Sequence, residues 1–372
     1  MEPAQQIVVT GMAWTTPLGD GLDEVWARLL AAETGLVSLP GRIRMRNTLA
    51  AVVPGVDWER PTAERLRLIV TGALQRAVSA AGRELDDPEM QLVIGTSLGS
   101  FLDDDPPAAD LHAWADELGG ELRFAAPPIV VSTTCSSGSD AIVVGAELVR
   151  DGVARCCVCG GVDVASITKM EAHSALGTMS PTRLRAFDVR HDGTLPGEGA
   201  GFLVLEKPET GRRPLAWLLG TGSANDATGM TAPDPNGLAA RLAIERSLSD
   251  AGLTPEQIGV INAHGSGTVL NDEAEKRTFG RVFRGDTCPL VFATKGNLGH
   301  SFGATGAVEA IALIMALRRQ EAPPIVELEQ PLPEFPLPLA MGARRRFSSD
   351  AGLSLTLGFG GFNTSLVFGA GS

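Results

Sequence analysis

The sequence predicts an α/β protein in which buried β-sheets are covered by helices. Apolar β-branched runs alternate with longer helical segments, which is typical of this class. Strands are predicted at residues 7–13, 91–95, 156–162, 199–207 and 258–265, and a hairpin-like pair of strands at 353–368. Helices are predicted at residues 62–81, 139–150, 237–252 and 303–319, with Gly82 and Gly252 as stop signals.

The succession of strand, Gly-rich turn and helix occurs in both halves of the chain, which predicts an internal duplication. The boundary lies near residues 205–215, a polar stretch with two prolines. We therefore divide the chain into residues 1–208 and residues 209–372. The Pro-rich residues 322–346 are expected to form a loop that crosses the surface.

Composition and charge exclude several classes of function. The formal net charge is −13, and a surface that repels phosphates argues against binding of nucleic acid. The sequence has no apolar run of about 18 residues, so we expect no membrane span. Its first residues do not resemble a signal peptide. Five cysteines, an odd and low number, fit a reducing compartment, and we expect a cytoplasmic protein.

Three of the cysteines are clustered, at Cys156, Cys157 and Cys159, in the segment RCCVCGGVDV. This segment is typical of a buried strand that ends in a Gly-Gly turn, with cysteine as a small hydrophobic residue. No histidine is close in sequence, so we predict no metal site here.

Cys135 stands in a different context. An apolar strand runs into Thr-Thr-Cys-Ser-Ser-Gly, and a helix follows. Free N–H groups and the helix dipole at such a position stabilise a thiolate, so we expect a lowered thiol pKa. The small residues after Cys135 leave room for a substrate.

Two histidines occupy loops of the same kind. A strand leads to His264 in a Gly-Ser-Gly loop, and Lys295 and His300 lie in a Gly-rich loop before a helix. A cysteine and two histidines, each between a strand and a helix, form a pattern typical of thiol acyl transfer.

Motifs along nearly the whole chain, from residue 7 to residue 368, resemble those of the beta-ketoacyl synthases. They are VVTGMAWTTPLGDG, TTCSSG, AFDVRHDGTLPGEGAGFLVLE, NAHGSGTVLND, TKGNLGHSFGATGAVEA and GFGGFNTSLVF, in the family's order. The resemblance implies a thiolase-like five-layer α-β-α-β-α fold from two duplicated halves, with the nucleophile in residues 1–208 and both histidine loops in residues 209–372. It also implies a homodimer, or a heterodimer with a related subunit. The segment KGNLGH favours a polyketide-type ketosynthase over the simplest fatty-acid forms.

The family mechanism assigns roles by position. Cys135 would take an acyl group from an acyl carrier protein, and a malonyl thioester would then lose carbon dioxide and condense with it. His264 and His300 would donate hydrogen bonds to the thioester oxygen, and Lys295 would orient His300. The backbone N–H groups of Cys135 and Phe359 would form the oxyanion hole.

The resemblance further implies that Asp272 and Glu309 support the site from behind the reacting groups, although Glu309 also fits a solvated helix charge. The protein itself would hold no metal and no cofactor, because phosphopantetheine arrives on the carrier. Arg65 and Arg67, and more weakly Arg185, resemble the family's carrier-docking positions.

Two features depart from the family. Residues 100–134 form a short segment where the family carries considerably more, and Asp103–Asp105 within it is expected to be a solvated loop. Phe362 stands where a threonine is usual. It is either a packing change or a narrowing of the pocket beside Phe359, which resembles the family's gating phenylalanine.

The residues leave two other functions open. The chain would be a non-condensing acyltransferase that uses the same Cys135, or a partner subunit similar to a chain-length factor. Partner subunits usually lack the nucleophile, which argues against that second function. A thiolase would need a second cysteine as its base, and Cys288 lacks a suitable Gly-rich context.

Overall fold

In a computed structural model of the chain, residues 6–39, 45–103, 110–209, 213–285 and 288–371 are described. The strands are β1 (Ile7–Thr15), β2 (Leu36–Ser38), β3 (Leu49–Ala51), β4 (Met90–Gly95), β5 (Ile129–Val131), β6 (Cys156–Asp163), β7 (Gly199–Glu206), β8 (Ala216–Asn225), β9 (Val260–Asn262), β10 (Leu290–Phe292), β11 (Glu321–Ala322), β12 (Arg345–Arg346), β13 (Ala351–Leu357) and β14 (Phe362–Ala370). The helices are α1 (Leu22–Leu30), α2 (Thr62–Ala80), α3 (Ala113–Glu121), α4 (Ser137–Arg150), α5 (Ile167–Ala175), α6 (Leu238–Ala251), α7 (Val269–Val282), α8 (Lys295–Leu298) and α9 (Thr305–Arg319).

The main sheet repeats one topology twice. Five strands from the first half lie in the order β5-β4-β6-β7-β1, and five from the second half in the order β10-β9-β13-β14-β8. In each set the two outer contacts are parallel and the two inner contacts antiparallel. A short antiparallel contact between β1 and β8 joins the sets. The repeated order confirms the predicted duplication.

The helices lie in three layers around the two strand sets. Helices α4 and α9 pack between the sets and contact strands of both, whereas α2 covers β1 and β7 and α6 covers β8 and β14. Three hydrophobic clusters fill the spaces between these layers. Strands β1, β6 and β7 are buried along their whole length, as expected for strands covered on both faces. The architecture is the predicted five-layer α-β-α-β-α arrangement.

Local sequence patterns predicted the positions of most of these strands and helices correctly. Helices α2 and α6 end before Gly82 and Gly252, whose φ angles of 64° and 65° lie in the left-handed region that glycine adopts readily. Strand β6 carries Cys156, Cys157 and Cys159 as buried thiols, as predicted. Strand β9 is shorter than predicted. The predicted loop over residues 322–346 has short strands at its two ends, which pair with each other.

The predicted division at residues 208/209 falls in the connection between β7 and β8, and its reading as two domains stays a prediction. Of the acidic run at residues 103–105, Asp104 and Asp105 lie outside the described residues. Asp103 accepts a hydrogen bond from the Thr168 hydroxyl (2.6 Å). Within the described ranges, no helix is both long and apolar enough to cross a membrane.

Arg65 is buried in the fold, so its predicted role in carrier docking is wrong. It is 2% exposed, forms an ion pair with the buried Glu198, and stacks 4.1 Å from the ring centroid of Trp58. Arg67 is only partly exposed, and it pairs with Glu117 and Glu121 of α3. The short segment between residues 100 and 134 thus supplies the carboxylates that neutralise Arg67.

This difference predicts unequal effects on stability. Replacing one partner of a buried ion pair leaves the other charge without a partner, which costs about 3–5 kcal/mol. Exposed pairs contribute about 0–1 kcal/mol. We expect Arg65→Met to lower the free energy of unfolding by the larger amount and the matched Arg67→Met by the smaller, as measured by urea denaturation. Equal small losses would contradict the structural role of Arg65.

Candidate active site

Cys135 lies in the turn between β5 and α4. A 3-10 turn spans Thr134–Ser136, and Thr134 has a φ of 56°, which residues other than glycine rarely adopt. Ser137 holds the turn, because its hydroxyl accepts a hydrogen bond from the Thr133 N–H (2.9 Å) and donates to the Thr134 carbonyl (2.6 Å). The thiol-bearing residue is 7% exposed.

Two glycines bring the catalytic loops together. Gly138 lies in the first turn of α4, and Gly303 lies just before α9. A Cβ on Gly138 would lie 2.9 Å from the Gly303 carbonyl oxygen, and a Cβ on Gly303 would lie 2.3 Å from the Ser97 nitrogen. Because neither glycine has a side chain, the start of α4 can contact the start of α9. Cys135 and His300 therefore reach the same cavity.

A cavity of about 270 Å³ collects the predicted reacting groups. Cys135, His264, His300 and Phe359 all line it. Its other polar lining residues are His173, Thr178, Asp192, Thr194, Thr231, Ser266, Thr268 and Asn271. A larger cleft of about 660 Å³ lies elsewhere, beside the paired charges of Arg83 and Glu206, and its described lining residues include no cysteine or histidine.

The hydrogen bonds of His264 and His300 fix their tautomers. The Nδ1 atom of His264 lies 3.2 Å from the ammonium group of Lys295, which can only donate. The Nδ1 atom of His300 accepts the N–H of Phe302 (3.0 Å), and the Thr305 hydroxyl lies 3.3 Å away. Both Nδ1 atoms are thus acceptors, so each imidazole carries its proton on Nε2.

Both rings are neutral at physiological pH. Burial and then the positive charge of Lys295 lower the pKa of His264 and of His300 well below the ordinary value. Their ring centroids are 5.5 Å apart, at an interplanar angle of 79°. The cavity therefore contains two neighbouring neutral imidazoles, each able to donate a hydrogen bond.

Lys295 contacts a different histidine from the predicted one. Its ammonium group donates to the Nδ1 and carbonyl oxygen of His264 and forms an ion pair with Glu309. The expectation that Lys295 orients His300 is therefore corrected. His300 is oriented by residues that follow it, through Phe302 and Thr305.

Glu309 and Asp272 lie behind the reacting groups. Glu309 is fully buried on α9 and pairs with Lys295, so it is not a solvated helix charge. Burial raises its pKa to about 7, against the opposing effect of Lys295. Asp272 is also buried and accepts hydrogen bonds from the Phe187 N–H (2.7 Å) and the Gly267 N–H (3.1 Å). These bonds attach the loop after His264 to the neighbouring loop.

Two further residues, Glu275 and His191, support the site and were not predicted from the sequence. The carboxylate of Glu275 accepts the N–H groups of His264 (2.7 Å) and Gly265 (2.8 Å) and so fixes the backbone of the first histidine loop. Burial raises the pKa of Glu275 to about 8. The Nδ1 atom of His191 lies 3.0 Å from the Asp272 carboxylate. Glu275 could have been predicted from the sequence, because it follows Asn271 and Asp272 by about one turn of α7.

The two predicted oxyanion donors both influence the Cys135 thiol. The backbone N–H groups of Phe359 and of Cys135 each favour its thiolate form and so act to lower its pKa. Burial nevertheless dominates and raises the pKa of the thiol to about 11. The expected lowering of the pKa by the helix start is therefore outweighed, and the resting thiol is protonated.

Two further predicted residues, Phe362 and Arg185, lie away from the reacting groups. Phe362 is 37% exposed and does not line the cavity, so its predicted place in the substrate pocket is wrong. Gly360 and Gly361, with φ near 80°, turn the chain between Phe359 and Phe362. Arg185 is half-buried and donates to the Thr182 hydroxyl (2.9 Å). Docking at Arg67 or Arg185 stays a prediction.

Comparison with known proteins agrees with this geometry. The family models for the N-terminal and C-terminal domains of beta-ketoacyl synthase match residues 114–210 and 215–329. A 3-oxoacyl-[acyl-carrier-protein] synthase 2 from Mycobacterium tuberculosis is 32% identical, over 98% of this chain and 97% of that protein. The chain belongs to the beta-ketoacyl synthase family. The same-named protein of Vibrio cholerae is 30% identical, over 98% of this chain and 99% of its own.

Solved structures confirm the thiolase-like fold. The ishigamide ketosynthase/chain length factor aligns with a TM-score of 0.88 at 30% identity and covers 98% of this chain and 99% of that chain. A beta-ketoacyl synthase from Burkholderia phymatum gives the same TM-score of 0.88 at 28% identity, with 98% and 99% covered.

The glycine contact predicts a sharp steric effect. An added methyl group at Gly303 would overlap the backbone at Ser97, and overpacking costs about 1–3 kcal/mol. We expect Gly303→Ala to lower the melting temperature and slow alkylation of Cys135. Gly120→Ala is the matched control, because that glycine lies in α3 with no atom near its Cβ position. Equal behaviour of the two variants would contradict close packing of Gly303 against the backbone at Ser97.

Proposed function

We propose that this beta-ketoacyl synthase loads an acyl group on Cys135 and condenses it with a malonyl thioester carried by an acyl carrier protein. One observation carries the proposal: two neutral imidazoles, each with its proton on Nε2, share a cavity with a thiol whose thiolate form is favoured by the backbone N–H groups of Cys135 and Phe359. Acyl transfer and decarboxylation place their charge on oxygen, and such donors stabilise an oxyanion.

The first step is transfer of the acyl group. The Cys135 sulfur attacks the thioester carbonyl, and the N–H groups of Cys135 and Phe359 stabilise the oxyanion. The carbon–sulfur bond to the phosphopantetheine arm then breaks. Because the thiol is protonated at rest, its proton leaves as attack proceeds and ends on the departing pantetheine thiol. The products are the acyl-enzyme and the free carrier thiol.

The second step is decarboxylation and condensation. The carboxylate of the malonyl group leaves as carbon dioxide, and its bonding electrons form an enolate at the thioester. The Nε2–H groups of His264 and His300 donate to the enolate oxygen. The enolate carbon attacks the acyl-Cys135 carbonyl, a carbon–carbon bond forms, and the Cys135 thiolate is expelled and reprotonated. No proton is removed from the malonyl group, so neutral donors suffice.

The partner subunit and the carrier are also part of the proposal. The solved ketosynthase/chain length factor structures pair two related subunits, which supports an assembly of two such chains here. The cavity supports a carrier-borne substrate, since the threonine and serine hydroxyls along it suit the amides of a phosphopantetheine arm. The presence of Cys135 with both histidines favours a catalytic subunit over a partner subunit without a nucleophile.

Acyl loading gives the first test. We expect intact-mass analysis to show one added acyl group after incubation with an acyl-carrier thioester, and peptide mapping to place it on Cys135. Cys135→Ala should abolish the mass increase. Cys288→Ala is the control and should retain it, because that cysteine is exposed and outside the cavity. Label on Cys156 or Cys288 with Cys135 bare would refute the assignment.

Decarboxylation gives the second test and separates condensation from simple acyl transfer. We expect His264→Ala and His300→Ala each to slow release of carbon dioxide from malonyl-carrier by about 10²–10³, the usual effect of removing one oxyanion donor. Acylation of Cys135 should persist in both variants.

The exposed His112 supplies the matched control, and His112→Ala should decarboxylate at the normal rate. If the two cavity variants also released carbon dioxide normally, the enolate role would be wrong. If the unchanged protein accepted acyl groups but never decarboxylated malonyl-carrier, it would be a non-condensing acyltransferase.

A further inference from the structure

A third imidazole, that of His173, lines the same cavity as Cys135, and the mechanism above does not use it. His173 lies in the last turn of α5, a helix capped at its N-terminus by Ser166, whose hydroxyl accepts the Lys169 N–H (3.3 Å). Burial and then the nearby Lys169 lower the pKa of His173 to about 4. The ring is therefore neutral at pH 7 and packs as an uncharged aromatic group.

His173 stands between two phenylalanines. Its ring centroid is 5.8 Å from that of Phe359, with an interplanar angle of 28°, and 5.5 Å from that of Phe302, with an angle of 50°. Its Nδ1 atom lies 2.9 Å from the Thr178 hydroxyl, which restricts rotation of the imidazole. The imidazole is thus fixed on one side by Thr178 and presents a flat face to Phe359.

The backbone of Phe359 is held by other contacts. Its carbonyl oxygen accepts the Thr134 hydroxyl (2.8 Å), and the following Gly360 donates its N–H to the Met230 carbonyl (2.7 Å). These bonds hold the Phe359 backbone next to the turn that carries Cys135, and they do not involve His173. The oxyanion donor and the aromatic ring of Phe359 are therefore positioned by separate sets of contacts.

The Phe359 side chain stands in a glycine-rich segment. The residue is half-buried at the cavity wall, and the chain around it contains Gly358, Gly360 and Gly361. Among the described residues, His173 is the aromatic ring found against it. An aromatic pair of this kind shifts a conformational equilibrium by about two- to twelvefold. Loss of the imidazole would release the ring by that amount.

We propose that His173 is a positioning residue that holds the Phe359 ring in the cavity wall and thereby sets which acyl groups reach Cys135. The inference rests on the proposed function only for the identity of the acyl donors. Access to the thiol can be measured with simple alkylating reagents, whatever reaction the enzyme performs.

The test compares alkylation of Cys135 by a small and a long maleimide, N-ethylmaleimide and N-dodecylmaleimide, in a Cys288→Ala background. We expect His173→Ala to raise the ratio of the long-reagent rate to the small-reagent rate by about two- to twelvefold. His173→Phe keeps a flat ring without the polar atoms, and it should leave the ratio near that of the parent. Thermal melting of each variant shows that the fold is intact.

A double-mutant cycle assigns the effect to Phe359. In a Phe359→Ala background, His173→Ala should change the ratio by less than about twofold, because the ring it holds is gone. An unchanged ratio in His173→Ala, a His173→Phe variant that behaves like His173→Ala, or a full effect in the Phe359→Ala background would each overturn the proposal.

Acyl-carrier substrates of increasing chain length then give the matching enzymatic profile. We expect His173→Ala to accept longer chains relative to shorter ones, and His173→Phe to follow the parent. If the parent protein takes no acyl group from any carrier while the maleimide ratio shifts as expected, the proposed function fails and the role of His173 stands. If acylation proceeds but neither profile changes, the role of His173 fails alone.

Discussion

The buried ammonium group of Lys295 is the interaction on which the chemistry of the cavity depends. It lies against the Nδ1 atom of His264 and pairs with Glu309, all out of contact with water. A positive charge in this position does two things: it makes Nδ1 of His264 an acceptor, and it opposes protonation of both histidines. Glu309 makes the burial of that charge tolerable, since an unpaired buried charge is strongly destabilising. The two imidazoles are therefore kept as neutral hydrogen-bond donors.

The duplicated architecture explains how the donors and the nucleophile meet. In each half, strands of the sheet end next to the start of a central helix. This helix is α4 in the first half and α9 in the second. Gly138 and Gly303 let those helix starts touch. The nucleophile from the first half and the histidines from the second half then face one cavity. The reacting groups thus lie where the two halves meet. Their proximity depends on two glycines that have no reactive side chain.

Much of this arrangement was predictable from the sequence, because it is encoded locally. Strand, Gly-rich loop and helix follow one another around Cys135, His264 and His300, and the structure brings all three together. The partner of Lys295 was not predictable, because His264 is distant in sequence and local pattern carries no information on that contact. His173 was missed for a related reason: nothing in the short helix α5 marks its position near the cavity until the fold is known.

Two other incorrect predictions, for Arg65 and Phe362, could have been avoided from the sequence. Arg65 and Arg67 are two residues apart on a helix and so point in nearly opposite directions, which excludes a shared docking face. The structure shows this separation, with Arg65 buried and Arg67 partly exposed. Phe362 follows two glycines with positive φ, and beyond the turn that they form it does not line the cavity. Strand β8 and helices α1, α3 and α5 were not predicted, because their apolar patterns are short or interrupted by polar residues.

The tautomer and charge of the two cavity histidines test this account most directly. Nitrogen-15 chemical shifts of the histidine rings distinguish a protonated from an unprotonated ring nitrogen, and His264→Ala and His300→Ala spectra would assign the signals. We expect both rings to be neutral at pH 7, with the proton on Nε2 and a bare Nδ1. An imidazolium signal for either residue, or a proton on Nδ1, would contradict it.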